Sequence, residues 1–127
     1  MTTDRADWQA MSARETAAWL QLSESTVKDL TDSSRLPYSA LASRRRYWQP
    51  TLIETLFPQV DLAEVAPDDC EVIDPGELAH RLGISRQSAR RLVESPLVPS
   101  VQFTRAIRIL WPPIRHRLEE GLPLAEQ

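Results

Sequence analysis

Apolar residues recur at helical spacing on both sides of Gly83. The first run ends at Leu82 and the second begins after Ser85, which predicts two short helices joined by a tight turn. Gly83 permits the turn, Ile84 is predicted to fill it with an apolar side chain, and Ser85 is placed to cap the second helix. The residues predicted to face the core are Leu78, Ala79, Leu82, Ala89, Leu92 and Val93.

A similar pattern lies near the start of the chain. Ser12 and Glu15 have the spacing of a capping box, in which each side chain accepts a hydrogen bond from a free helix amide. We expect a helix from there through Leu20. Ser23 can cap a second helix, predicted from Glu24 to about residue 33. Its expected inward residues include Val27 and Leu30.

A β-hairpin and a third helix are predicted after this helix pair. Pro37 forbids helix and suits an edge strand, and the run Arg44-Arg-Arg-Tyr-Trp48 supplies a basic tip and a returning strand. Pro50 suits the first turn of a third helix over residues 51–57. Trp48 is expected in the core, where it would fasten the hairpin to the helices.

The two stretches align at an offset of 62 residues, which indicates an internal duplication of a unit of about 45 residues. In this alignment one extra residue in the second hairpin places Trp111 opposite Trp48 and Pro113 opposite Pro50. We therefore expect copy one at residues 12–58, an acidic linker at 59–73 and copy two at 74–120. The other aligned pairs are Glu15 and Glu77, Ala17 and Ala79, Leu20 and Leu82, Leu22 and Ile84, Ser23 and Ser85, Leu30 and Leu92, and Pro37 and Pro99.

The segments outside the two copies are predicted to be loops. Residues 1–11 are expected to form a loose arm in which Trp8 packs on the domain. Residues 59–71 are expected to be a linker, or an acidic helix plus linker. The favoured role is a solvated connection, and the alternative is that their charge keeps the two halves from closing on each other. Cys70, the only cysteine, lies in this acidic stretch, where we expect a surface thiol.

The distribution of charge matters more than its sum. A net charge of −3 and a pI near 5.4 argue against binding to nucleic acid. Residues 49–79, however, hold eight acidic residues and no Lys or Arg, whereas residues 80–117 hold eight arginines and one acidic residue. A phosphate backbone responds mainly to the nearby face of a protein, because the Debye length is about 8 Å. The second half therefore remains a candidate for DNA binding.

Several motifs resemble the winged helix-turn-helix of the MerR and phage excisionase families. In copy one they are Glu15-Thr-Ala-Ala-Trp-Leu-Gln-Leu-Ser-Glu-Ser-Thr-Val, Arg35-Leu-Pro and Arg44-Arg-Arg-Tyr-Trp. In copy two they are Glu77-Leu-Ala-His-Arg-Leu-Gly-Ile-Ser-Arg-Gln-Ser-Ala, Val98-Pro and Arg105-Ala-Ile-Arg-Ile-Leu-Trp. The resemblance implies a mainly α fold with small β-hairpin wings, present as a tandem winged helix-turn-helix.

In those families the second helix enters the major groove and the wing touches the minor groove or the backbone. The resemblance therefore implies double-stranded DNA as the partner. The DNA-binding residues it implies are Ser25, Thr26, Lys28, Arg44, Arg45, Arg46, Ser85, Arg86, Gln87, Ser88, Arg90, Arg91, Arg105 and Arg108. The chain departs from MerR regulators because it has neither their long dimerisation helix nor an effector domain, and its size fits the excisionases better.

The outward faces of the two second helices differ in charge. Arginine can bind guanine and glutamine can bind adenine in the major groove, so copy two is the predicted reader of bases. Copy one either binds DNA through its wing arginines, residues 44–46, or serves as a protein-binding or self-associating module. The compared positions are Arg86, Gln87, Arg90, Arg91 and Glu94 in copy two, and Glu24, Ser25, Lys28, Asp29 and Asp32 in copy one.

The sequence gives no sign of catalysis, a cofactor or a metal site. His80 and His116 are isolated and are expected at the surface, and no phosphate-binding loop or nucleophile–base pair is present. No apolar run is long enough to cross a membrane. We expect a cytoplasmic, non-enzymatic transcription regulator or recombination directionality factor of a bacterial or mobile-element system. The alternatives are an adaptor or anti-activator on a degenerate helix-turn-helix fold, and a homodimer through copy one.

Overall fold

The computed structural model describes residues 8–125, which form the same series of elements twice. The elements of copy one are β1 (Ala10–Met11), α1 (Ala13–Leu20), α2 (Glu24–Asp32), β2 (Ser39–Leu41), β3 (Arg44–Trp48) and α3 (Gln49–Leu56). Those of copy two are β4 (Val72–Ile73), α4 (Pro75–Leu82), α5 (Arg86–Leu92), β5 (Ser100–Phe103), β6 (Ala106–Leu110) and α6 (Trp111–Glu119). A single 3-10 turn, Leu62–Glu64, lies between the copies.

Each copy has an antiparallel three-stranded sheet, with strand orders β1-β3-β2 and β4-β6-β5. The fold is therefore mixed α/β, and the expectation of a mainly α chain is only roughly met. The sequence pattern predicted the hairpins but missed β1 and β4, because a strand of two residues carries no measurable periodicity. Residues 10 and 11 belong to β1 instead of a loose arm, and residues 1–7 of that arm lie outside the described residues. Trp8 packs on the core, as expected.

Local capping fixes the helix starts. The Ser12 hydroxyl accepts from the Glu15 amide and the Glu15 carboxylate accepts from the Ser12 amide, which confirms the first capping box. Ser23 and Ser85 cap α2 and α5. In copy two only half of a capping box forms: Asp74 accepts from the Glu77 amide, but the Glu77 carboxylate is hydrogen-bonded to Arg81 instead.

The offset between the copies is 62 residues throughout the hairpin. Both turns have two residues, with a left-handed first residue, Ala42 at φ 56° and Thr104 at φ 56°. Trp48 pairs with Ala10 just as Leu110 pairs with Val72, so the structural equivalent of Trp48 is Leu110. The predicted extra residue and the pairing of Trp48 with Trp111 are therefore wrong. Trp48 is 43% exposed and is not a core residue. The neighbouring Tyr47 is the buried aromatic residue of this strand.

Two apolar clusters lie on opposite faces of the second sheet. One face packs in the core of copy one and the other packs against the helices of copy two. Alternate residues of a strand point to opposite faces, so a single sheet can serve both cores. The face toward copy one presents Val72, Val101, Phe103, Ala106, Arg108 and Leu110, and the face toward copy two presents Ile73, Ile107 and Ile109.

Residues 69–72 join the two copies as an extended segment and not as a solvated connection. Cys70 and Val72 are buried in the core of copy one, whereas the carboxylates of Asp69 and Glu71 bind arginines of copy two. Cys70 is thus buried, contrary to the expected surface thiol, and this desolvation raises the pKa of its thiol to about 11. The side chains of Trp19 and Gln21 complete the junction by donating to the carbonyls of Cys70 and Val72. Among the described residues, no helix has the length and apolarity needed to cross a membrane.

Candidate nucleic-acid interface

A cationic groove lies in copy two between α5, the β5–β6 hairpin and the first turn of α4. Its volume is about 230 Å³. The second helix and the hairpin place guanidinium groups on two sides of this groove, and Asp74 is the one acidic residue in its lining. That carboxylate already accepts a hydrogen bond from the Glu77 amide. The lining consists of Asp74, Pro75, Gly76, Arg86, Arg90, Arg105, Ala106, Ile107 and Arg108.

Most of the arginine side chains in the chain bind other parts of it. Within residues 8–125, those of Arg14, Arg45, Arg81 and Arg115 bind carboxylates, and those of Arg35, Arg46, Arg108 and Arg117 donate to backbone carbonyls. In the same described range, six cationic side chains make neither kind of bond, and each of them lies on the second helix or the hairpin of its copy. They are Lys28, Arg44, Arg86, Arg90, Arg91 and Arg105.

The eight arginines of residues 80–117 therefore do not all contribute to a free positive face. Arg81 donates to both carboxylate oxygens of Glu71, at 2.9 and 2.7 Å, and Arg115 donates to Asp69 at 2.9 Å. The hydrogen bond from Arg115 lowers the pKa of Asp69, and that from Arg81 lowers the pKa of Glu71. The acidic stretch and the basic stretch thus neutralise each other in part, and the remaining free charge is concentrated at α5 and Arg105.

Three of the predicted wing contacts have structural partners. Arg45 donates to Asp32 at 2.8 Å and its guanidinium lies over the ring of Tyr38. Arg46 donates to the carbonyl of Arg45. Arg108 donates to the carbonyls of Leu20 and Gln21 in copy one, at 2.8 and 2.7 Å. Arg108 therefore caps the C-terminus of α1, and the sequence could not indicate this, since the contact spans 88 residues.

The hydroxyl groups assigned to DNA contact act mainly as helix caps. Ser85 accepts from the Ser88 amide at 3.0 Å and donates to the Ser88 hydroxyl. Ser23 caps α2 in the same way and is hydrogen-bonded to the Thr26 hydroxyl. Ser25 and Gln87, in contrast, are exposed with their side chains on the outer helix surface.

Copy one has an equivalent groove with different chemistry. Its volume is about 550 Å³, larger than that of copy two, because Glu24 and Ser43 stand at the positions of Arg86 and Arg105. Lys28 and Arg44 bring two free cations to it, while the carboxylate of Glu24 lies 3.7 Å from Arg14. The two grooves share a backbone frame but differ in the sign of charge along the second helix.

The sequence pattern missed the third wall of the copy-two groove. Asp74, Pro75 and Gly76 line it from the start of α4, and the Arg86 guanidinium passes over Gly76, where an added Cβ would lie 3.8 Å from Nη2. His80 and His116 are exposed, as expected.

Comparisons of this chain with protein-family models, with curated proteins and with solved structures gave no match.

Proposed function

We propose that this protein binds double-stranded DNA in a sequence-specific manner and that copy two is the principal reader. The single observation that carries the proposal is the position of the free cations. Four of the six, Arg86, Arg90, Arg91 and Arg105, lie on α5 and on the adjoining hairpin turn of copy two. Cations without internal partners remain available to phosphates and base edges, and three of these residues, Arg86, Arg90 and Arg105, line one groove.

The order of elements supports the same proposal. In each copy two helices joined by a tight turn precede a hairpin, which is the arrangement expected of a winged helix-turn-helix of the MerR and excisionase type. In this assignment α5 enters the major groove, Arg90, Arg91 and Gln87 read bases, and Arg105 contacts the backbone from the wing. The function is binding without catalysis, in transcription regulation or in recombination directionality.

The test is fluorescence anisotropy with duplex DNA over a range of salt concentrations. Arg90→Ala/Arg91→Ala is expected to weaken binding to selected fragments by about 1–3 kcal/mol for each bidentate contact that is lost. Arg105→Ala is expected to lower the slope of log affinity against log salt by about 0.9 on any duplex. Arg117→Ala is the matched control, because Arg117 lies outside both grooves and donates to the carbonyl of Pro123, and its replacement removes one positive charge. Equal affinities for Arg90→Ala/Arg91→Ala and the parent protein would overturn the assignment.

A protein-interaction adaptor is the second candidate, and the acidic surface of α2 favours it. Glu24, Asp29 and Asp32 occupy the positions that Arg86, Arg91 and Glu94 have in copy two. This candidate predicts no salt-dependent binding to duplex DNA and a partner retained through α2. A pull-down with Asp29→Ala as the discriminating variant separates the two candidates, since Asp29 is exposed and its removal should strengthen DNA binding.

A further inference from the structure

The two sheets are equivalent in structure, but within residues 8–125 only the second is covered on both faces. In the second sheet, the face toward copy one buries Leu110 completely and leaves Phe103 2% exposed. Their equivalents in the first sheet are Trp48 and Leu41, which are 43% and 57% exposed. Trp48 and Leu41 lie on the same sheet face, with the Arg46–Ser39 pair between them. The same face is therefore closed in copy two and open in copy one.

Part of the surface that covers the second sheet also occurs twice. In copy one it is formed around the C-termini of α1 and α3, where Leu22 and Leu56 pack in the cluster that contains Leu110. Ile84 and Leu118 stand at the equivalent positions of copy two, and they are 37% and 45% exposed, whereas Leu56 is 6% exposed. The expectation that Ile84 fills its turn is wrong. Within residues 8–125, no element covers this side of copy two in the way that the second sheet covers copy one.

The polar groups of this contact repeat as well. Arg108 joins the second sheet to copy one by donating to the carbonyls of Leu20 and Gln21. Arg46 has the position of Arg108 in the first sheet, and the carbonyls of Leu82 and Gly83 have the positions of Leu20 and Gln21. Both chain turns at these carbonyls are left-handed, with φ 57° at Gln21 and 66° at Gly83, so the carbonyls are presented alike.

We propose that a second copy of this chain docks head to tail, with the first sheet of one molecule on the α4 and α6 side of copy two in the next. The contact would repeat, between molecules, the junction that already exists between the two copies of one chain. Trp48 and Leu41 would pack against Ile84 and Leu118. Arg46 would donate to the carbonyls of Leu82 and Gly83. Such a contact is heterologous: each molecule keeps one free sheet and one free helix side, so association adds further molecules instead of stopping at a dimer. It does not depend on DNA binding.

The intermolecular contact is expected to be weaker than the junction within the chain. Within one molecule, the covalent segment of residues 69–72 adds the buried side chains of Cys70 and Val72. In the first sheet Ala10, Ser39 and Arg44 stand at the positions of Val72, Val101 and Ala106, so this face buries less apolar area. Association is therefore expected at micromolar or higher concentration, as for small interfaces.

Sedimentation velocity of the full chain over a concentration series tests the proposal. The parent protein is expected to show a weight-average sedimentation coefficient that rises continuously with concentration. Trp48→Glu removes the sheet side and Leu118→Glu removes the helix side, and each should weaken association about tenfold or more, because a buried charge replaces an apolar contact. Thr55→Glu, a matched charge on an exposed position of α3, should behave as the parent does. Far-UV circular dichroism checks folding, and Leu41→Glu replaces Trp48→Glu if that variant unfolds.

Mixing the two variants gives the decisive result. Trp48→Glu keeps a working helix side and Leu118→Glu keeps a working sheet side, so an equimolar mixture should form dimers and stop there. A parent protein that stays monomeric at all concentrations would overturn the proposal. So would loss of association in Trp48→Glu with unchanged association in Leu118→Glu, because that pattern belongs to a symmetric contact of sheet on sheet.

Discussion

The two copies share one backbone frame and differ in what their equivalent side chains face. In copy two the sheet is buried on both sides and the second helix is basic, whereas in copy one the sheet is open on one side and the second helix is acidic. Position 48 carries a half-exposed Trp, and its equivalent Leu110 is buried. A repeated unit therefore need not have repeated surroundings. The chain connection places the second sheet between the two copies, whereas the first sheet has copy one on one face and, within residues 8–125, no second copy on the other.

The largest expected effect comes from the covered sheet. Leu110→Ala should lower the free energy of unfolding by about 2–5 kcal/mol, because it removes apolar atoms from a completely buried site and leaves a cavity. Trp48→Ala, the matched change in the other copy, should cost less than Leu110→Ala, because Trp48 already keeps 43% of its surface in contact with water. Urea unfolding at a concentration below any self-association measures both. Equal losses would mean that the outer face of the first sheet is as well packed as that of the second.

The next effect tests the arginine that joins the copies. Arg108→Ala should lower the free energy of unfolding by about 1–3 kcal/mol, since two carbonyls at the end of α1 lose a charged donor. Arg46→Ala is the control: it has the equivalent position in copy one but donates only to the carbonyl of Arg45. If Arg46→Ala costs as much as Arg108→Ala in dilute solution, the junction between the copies does not depend on this guanidinium.

Local features of this fold could be predicted from the sequence, and contacts between the copies could not. Ser12, Ser23 and Ser85 cap helices as expected, because capping involves only residues three positions apart. Pro50 lies in the first turn of α3, also as expected. The predicted pairing of Trp48 with Trp111 failed. Trp111 begins α6, where the guanidinium of Arg81 lies over its ring, and it corresponds to Gln49. The alignment matched residues by type, whereas hydrogen bonds between backbone groups fix the strand register.

The candidate site was likewise predictable only in part. The exposed positions of Arg86, Arg90 and Arg91 follow from helical periodicity within a single element. The capture of Arg108 by α1 and of Arg115 by Asp69 involves residues far apart in the chain, and an arginine that binds its own protein looks the same in a sequence as one that is free.

Two charge reversals in α2 test whether the charge of the second helix accounts for the expected difference in DNA binding between the copies. Glu24→Arg/Asp29→Arg gives α2 the residues that α5 has at Arg86 and Arg91, so binding to duplex DNA should become tighter and more dependent on salt. The slope of log affinity against log salt should steepen by roughly 0.9 for each new phosphate contact. Anisotropy titrations measure the slope, and Glu54→Arg/Glu64→Arg is the control, because it makes the same change in net charge outside both grooves. Equal slopes for the two variants would show that only net charge matters.

The smallest expected effect is a pH dependence of the junction between the copies. Hydrogen bonds from Arg115 and Arg81 lower the pKa of Asp69 and of Glu71 in the folded chain, so these carboxylates add stability above their unfolded pKa values, near 4, and lose it as pH falls through the folded values. Both pairs are partly exposed, which limits each to less than about 1 kcal/mol.

Asp69→Asn and Glu71→Gln should therefore lower stability at neutral pH and leave it nearly unchanged at about pH 2, where the parent has also lost both ion pairs. Copy one has Trp19 and Ile53 at the positions of Arg81 and Arg115, so its half of the junction is apolar and insensitive to pH. Glu54→Gln, an exposed carboxylate without a partner within residues 8–125, is the control and should change stability little at either pH. Urea unfolding at a series of pH values distinguishes these outcomes. A pH dependence that survives in Asp69→Asn/Glu71→Gln would have to arise from another carboxylate.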